Sequence, residues 1–155
     1  MEANKEYLDR IVAEEADLVF DHFDENDAWK LGNLMVEEAL KRGIQLTVDI
    51  RRPNQILFHS VIRGATPDND EWIRRKSNVA FRFRKSSLAM HVNLAIQGKT
   101  IEERFFLDPK EYVPMGGAFP LVVRGVGMIA CATVSSLPHE EDHAFVVECL
   151  RKFKG

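Results

Sequence analysis

An α+β domain in three layers, with helices over both faces of an antiparallel sheet, is the fold class this sequence predicts. Three observations lead to it. The hydrophobic period switches from 3.6 to 2 once the chain passes Gly43. Two hairpin signals, Pro53-Asn54 and Arg124-Gly125, join strands that must run antiparallel. The strands after Gly117 are apolar on both faces, as strands covered by helices on both sides must be. The 155 residues amount to a single domain, 1–155. A chain of this length buries roughly 70% of its unfolded surface and needs no staples.

The elements follow in order. Leu8, Ile11, Val12 and Glu15 set a helix over 4–16. Leu18-Val19-Phe20 is a short strand. Asp24, Asn26 and Asp27 offer N-cap oxygens for a helix over 27–42, and Gly43 is placed to end it in a left-handed cap. Leu46, Val48 and Ile50 then alternate with Thr47, Asp49 and Arg51, and Gln55 to Ile62 returns as the second arm of a hairpin. Asp68 or Asn69 caps a long helix to about Phe83, and a second helix over 87–97 stops at Gly98. Residues 99–111 carry turn chemistry and little periodicity. Ala118–Val123 and Val126–Val134 are the last strands, and Pro138 opens a final helix over 138–153.

Composition excludes several classes. A hydrophobic fraction of 45% and a charged fraction of 29% rule out disorder, collagen and coiled coil. Twenty-one basic against twenty-four acidic residues leave −3, so no global field recruits nucleic acid or an anionic membrane. The longest apolar run is about half the roughly 20 residues a membrane span needs. The acidic, polar start carries no export pattern. Cys131 and Cys149 belong to no CxxC pair and read as buried thiols, so the expected compartment is the cytoplasm.

Three constellations could carry chemistry. His139-Glu140-Glu141-Asp142-His143 matches H-E-x-x-H, two imidazoles on one helical face with a glutamate as base. It sits in the first turn after Pro138, its variable positions are acidic, and no third ligand follows. The favoured reading is therefore a helix start whose acids complement the macrodipole, with no resident metal expected. The second constellation is basic: Arg63 to Lys85 holds seven Lys/Arg against three acids. Within it Lys76 interrupts the apolar stripe of Trp72, Val79 and Phe83, where an ammonium must snorkel, pair with a carboxylate or face an anion. Asp49 is a possible partner. An unpaired ammonium there predicts that Lys76→Met preserves stability and abolishes anion binding, with Arg75 alongside. The third is Gly116-Gly117, whose backbone could approach a ligand or simply turn a corner. No phosphate loop, nucleophile elbow or Cys-His arrangement occurs, so no catalytic residue is assigned.

Two blocks, Thr47-Val48-Asp49 through Arg63-Gly64-Ala65-Thr66-Pro67 to Arg74–Ala80, and Gly116-Gly117-Ala118-Phe119-Pro120-Leu121 through Gly125-x-Gly127 and Val134–Pro138 to Asp142-His143, resemble the GlcG/haem-binding family of haem-degrading domains. The likeness is to its branch of uncharacterised bacterial and fungal proteins and spans about residues 7–150. It implies a profilin-like fold with a five-stranded antiparallel sheet, and homo-oligomers built from dimers. It sets Asp49, Lys76, Gly116, Gly117 and Asp142 on the family's motif positions, with Arg75 and His143 beside them, and it brings haem in as a possible cofactor. Departures are Arg51–Gln55 in place of a glycine turn, Ser77 for alanine after the lysine, Ser135-Ser136 for Ser-Gly, and one extra residue before Pro120. The expectation is an oligomeric binding module for an anionic or haem-like small molecule. The rivals are an enzyme acting on a small carboxylate or tetrapyrrole, and an assembly protein without ligand.

Overall fold

A computed structural model describes residues 1–155. The Asn4 side chain accepts the Tyr7 amide and starts α1 (Lys5–Asp17). Strand β1 (Val19–Phe20) leads to α2 (Glu25–Arg42), which opens on a reciprocal Asp24/Asp27 capping box and closes at Gly43 with φ +70°. Strands β2 (Thr47–Arg52) and β3 (Gln55–Val61) form the expected hairpin. Helix α3 (Pro67–Phe83) begins two residues before Asn69. Thr66 is its N-cap and Asn69 reaches back to the Thr66 amide, because Pro67 fits the first helical position. Helix α4 (Ser87–Gln97) is capped by Ser86 and ends at Gly98.

One element was not expected. Helix α5 (Ile101–Phe105) stands in the segment read as aperiodic. Five residues are too few to show a period, although the Thr100/Glu103 capping box that starts it was written in the sequence. Strands β4 (Ala118–Val123) and β5 (Gly127–Ser135) and helix α6 (His139–Lys154) complete the chain.

The five strands lie in the order β1-β4-β5-β2-β3. Four are antiparallel, but β1 runs parallel to β4, pairing Val19 with Val122 and Phe20 with Val123. The sheet is therefore mixed, which corrects the all-antiparallel expectation. A two-residue strand has no period of its own. Its direction is set by α1, which packs on α4, and α2, which packs on β2, β3 and α6, so the chain passes the sheet edge between two layers.

The two faces differ. Leu46, Val48, Ile50, Phe119, Leu121, Ala132 and Val134 join α2 and α6 in the largest core cluster. Under α3, the opposite face presents Thr47, Asp49, Cys131, Thr133 and Ser135, all buried. That second face is thus covered as expected, but its side chains are small and only partly apolar, with Ala118 and Cys131 beside the polar Thr47, Asp49, Thr133 and Ser135. Ala80 meets Ala118 and Cys131 there, and side chains this small let α3 lie close to the strands. No helix is long and apolar enough to cross a membrane.

Candidate functional site

Lys76 leaves the stripe of α3 beside Trp72 and Val79 and enters the layer between α3 and the end of β5. Its ammonium lies 2.9 Å from Asp142 Oδ2 and donates to Val134 O at 3.3 Å. Both side chains are essentially sealed, 3% and 1% exposed. The amide of Leu137 donates to Asp142 Oδ1 at 3.0 Å. Burial raises the Asp142 carboxyl to about 6 against the opposing pull of Lys76. Burial likewise lowers the Lys76 ammonium below its ordinary value, with Asp142 acting against it. The ammonium is therefore paired, and with Asp142, not with Asp49 as sequence reasoning suggested. Sixty-six residues separate the partners, too far for any local pattern to show.

The double glycine works sterically. A Cβ on Gly117, which has φ +134°, would stand 2.6 Å from Val134 O and 2.8 Å from Lys76 Nζ. One on Gly116 would stand 2.3 Å from the His139 carbonyl. The pair gives Lys76 and the start of α6 room to approach. The Gly116 amide is already spent, donating to His139 Nδ1 at 2.9 Å.

Above the ion pair opens a cleft of about 380 Å³ between α3 and the start of α6. Lys76 and Asp142 contribute to its lining, with Trp72, Met115, Leu137 and Pro138 as apolar wall and Asn69, Ser135, Ser136 and His139 as polar wall. Arg75 does not enter it. Its guanidinium stacks over the Trp72 ring at 4.7 Å and braces that wall from outside.

His139 belongs to this cleft although sequence reasoning considered it only as a metal ligand. Its ring meets that of His91 edge-on at 4.5 Å, while His91 Nδ1 lies 3.0 Å from Pro114 O. Burial, with His91 next in weight, lowers the His139 imidazolium to about 4. No local signal marks this role, because the groups that define it come from α4 and the loop before β4.

The remaining predicted residues lie apart. Asp49 is fully buried on β2, where it accepts hydrogen bonds from Arg51 Nε and Nη2 at 2.7 and 2.8 Å and contacts His59 Nδ1 at 2.8 Å. His59 Nε2 stands 3.0 Å from Asp70 on α3. The Arg51 that replaces a glycine turn is thus the partner of Asp49. His143 turns from the cleft toward α1, with Nε2 2.8 Å from Glu14 and Nδ1 without a partner. The two imidazoles of the H-E-x-x-H string therefore look to different neighbours, and Glu140 is held by Tyr7 and the amino terminus.

The mixed five-stranded sheet, its helices on both faces and the ion pair beneath an open cleft define a profilin-like α+β domain. A family model described as haem-degrading protein HbpS-like matches residues 23–151. A UPF0303 protein of Acidobacterium capsulatum is 43% identical over 145 residues, covering 94% of this chain and 88% of that one. One from Streptomyces avermitilis is 46% identical over 146 residues, 94% and 90% of the two chains. The solved structure of Ybr137w protein is 35% identical with a TM-score of 0.90, over 97% and 89%. HbpS, at 21% identity and a TM-score of 0.68 over 86% and 91%, shares the fold. So does the PduOC–haem complex, at 16% and 0.69 over 83% and 93%. The chain belongs to the HbpS-like haem-degrading protein family.

Proposed function

We propose that this chain is a homo-oligomeric binding module for an anionic small molecule, with haem or a haem-like tetrapyrrole among the candidates, and that the cleft between α3 and α6 is its site. One observation carries the reading. Lys76 has three N–H donors and two acceptors within the chain, so a buried ammonium on the lining of an open cleft keeps a donor in hand. The haem-degrading description of the family supports a haem-like ligand, whose propionates are the anions such a donor suits. Lys76 and Asp142 form the polar floor, Gly116 and Gly117 give it room, and Arg75 acts through Trp72. Asp49 and His143 support the surrounding layers. Two buried thiols with no disulfide support a reducing, cytoplasmic setting.

A hemin titration followed at the Soret band, on protein whose mass is read by light scattering after size exclusion, tests both parts. Saturable binding by an assembly of several chains is expected. A monomer across the micromolar range removes the assembly. Absence of any ligand, by titration and by mass spectrometry of the purified protein, leaves a protein that works through contacts alone.

One observation favours a second reading, an enzyme acting on a small carboxylate. Burial moves the Asp142 acid up and the Lys76 base down toward each other, and buried groups shifted in this way mark sites that exchange protons. Turnover of a bound carboxylate, lost in Asp142→Asn, would establish it.

A further inference from the structure

The Gly116 amide points at His139 Nδ1 from 2.9 Å. A backbone N–H can only donate, so Nδ1 must present its lone pair and cannot carry a proton while this bond stands. The neutral ring then holds its one hydrogen on Nε2, across the ring from Gly116. That N–H finds no acceptor in the chain, yet Nε2 is not among the side-chain atoms sealed from solvent without a partner. His139 is one of the residues that line the cleft, and Nε2 is the one ring donor it has left to offer. Burial disfavours the charged ring, with the His91 ring at 4.5 Å and Lys76 acting in the same direction, and together they keep His139 uncharged at neutral pH. A ring in this state donates a hydrogen bond from Nε2 but has no lone pair there for a metal. His139 is thus unsuited to hold haem iron, and it is well suited to hold an oxygen.

We infer that the cleft reads a carboxylate, gripped between the Nε2–H of His139 and the spare donor of Lys76, and that His139 is not an iron ligand. The inference rests on the proposed binding role and deepens it. At about 380 Å³ the cleft lies near the lower end of the roughly 300–1,000 Å³ usual for small-molecule sites. It admits a one-ring acid whole, with Trp72, Met115 and Leu137 against the ring, and it takes only the propionate edge of a tetrapyrrole. Both sources offer the same chemistry.

The test uses benzoate for a small acid, and hemin, mesoporphyrin and mesoporphyrin dimethyl ester for the tetrapyrrole, on wild type, His139→Ala and His139→Gln. Two-bond ¹H–¹⁵N spectra should show His139 as the Nε2–H tautomer, not titrating between pH 5 and 8. His139→Ala should weaken benzoate about tenfold, the worth of one good hydrogen bond, and His139→Gln, which keeps an amide N–H, should recover part of it. If the source is a propionate, mesoporphyrin weakens likewise in His139→Ala, and its dimethyl ester binds wild type and variant alike. In either case the Soret position of bound hemin stays where it is in wild type. A His139 that titrates near 6.5, benzoate and mesoporphyrin binding that both ignore His139→Ala, or a Soret band displaced in that variant overturns the inference while leaving a binding module. Failure of wild type to bind any of the four probes removes the binding role itself, and the inference with it.

Discussion

Replacing Lys76 by Met probes the ion pair directly. Methionine matches the unbranched stem beside Trp72 and Val79 but leaves Asp142 with the Leu137 amide and no cation. The carboxyl, already raised to about 6 with its lysine present, is pushed further up and stays protonated in the folded state at pH 7. In the unfolded chain it titrates at its ordinary 3.8. At about 1.4 kcal/mol per pH unit, holding that proton costs about 4 kcal/mol at pH 7, against about 3 kcal/mol that the wild-type carboxyl at about 6 already costs. Protonation alone therefore adds a loss of about 1 kcal/mol at pH 7 that vanishes near pH 5. A broken buried pair typically costs roughly 3–5 kcal/mol in all, so the lost attraction between Lys76 and Asp142 supplies the larger, pH-independent share. The sign is fixed by the direction of the shift. A carboxyl whose folded value is raised favours folding at low pH and loses that advantage as pH climbs through its folded value. Urea unfolding at pH 7 and pH 5 should therefore show a loss that shrinks by about 1 kcal/mol on acidification. Lys76→Met combined with Asp142→Leu should recover most of it. A single variant as stable as wild type at pH 7, the outcome an unpaired ammonium predicts, would refute this reasoning. So would a loss of equal size at both pH values.

Three further outcomes follow from packing and chemistry. Gly117→Ala drives a Cβ into Val134 O and Lys76 Nζ at a φ unsuited to alanine and should cost roughly 1–3 kcal/mol in urea unfolding, whereas Gly43→Ala, with nothing near its Cβ, should cost only about 1 kcal/mol. Burial pushes the Cys131 and Cys149 thiols up to about 12, so neither should react with a disulfide reagent in native protein at pH 8, and both should react in urea. Because His139 and His143 turn to separate partners, untagged protein should carry well under one zinc per chain by metal analysis; one tightly held zinc, lost on changing either histidine, would contradict that geometry.

Much of the secondary structure was legible because its causes are local. Asp24, Gly43 and Gly98 act within four residues of the helix ends they set, and the alternation of Leu46, Val48 and Ile50 states which side of β2 meets α2. Lys76 was legible as a misfit, since four residues from Trp72 and three from Val79 place it on a buried stripe by arithmetic alone. Two features escaped for one reason, their shortness. Helix α5 was too short to have a period, and β1 was too short to have a direction.

What the sequence by itself determined was therefore the class of fold, the family and the presence of a charge that the apolar interior would have to answer. What only the tertiary structure decided was how it is answered. Asp142 outcompetes Asp49 because α6 delivers its first turn to the floor of the α3 layer, while Arg51, two residues away, already satisfies Asp49. His139 gains its tautomer from a glycine amide 23 residues earlier in the chain. The double glycine is a clearance, not a set of donors. Periodicity and capping are properties of a few consecutive residues and survive in any context. Pairing, protonation and tautomer are properties of whichever groups the fold brings within about 3 Å, and distances of that kind exist only once the chain has closed on itself.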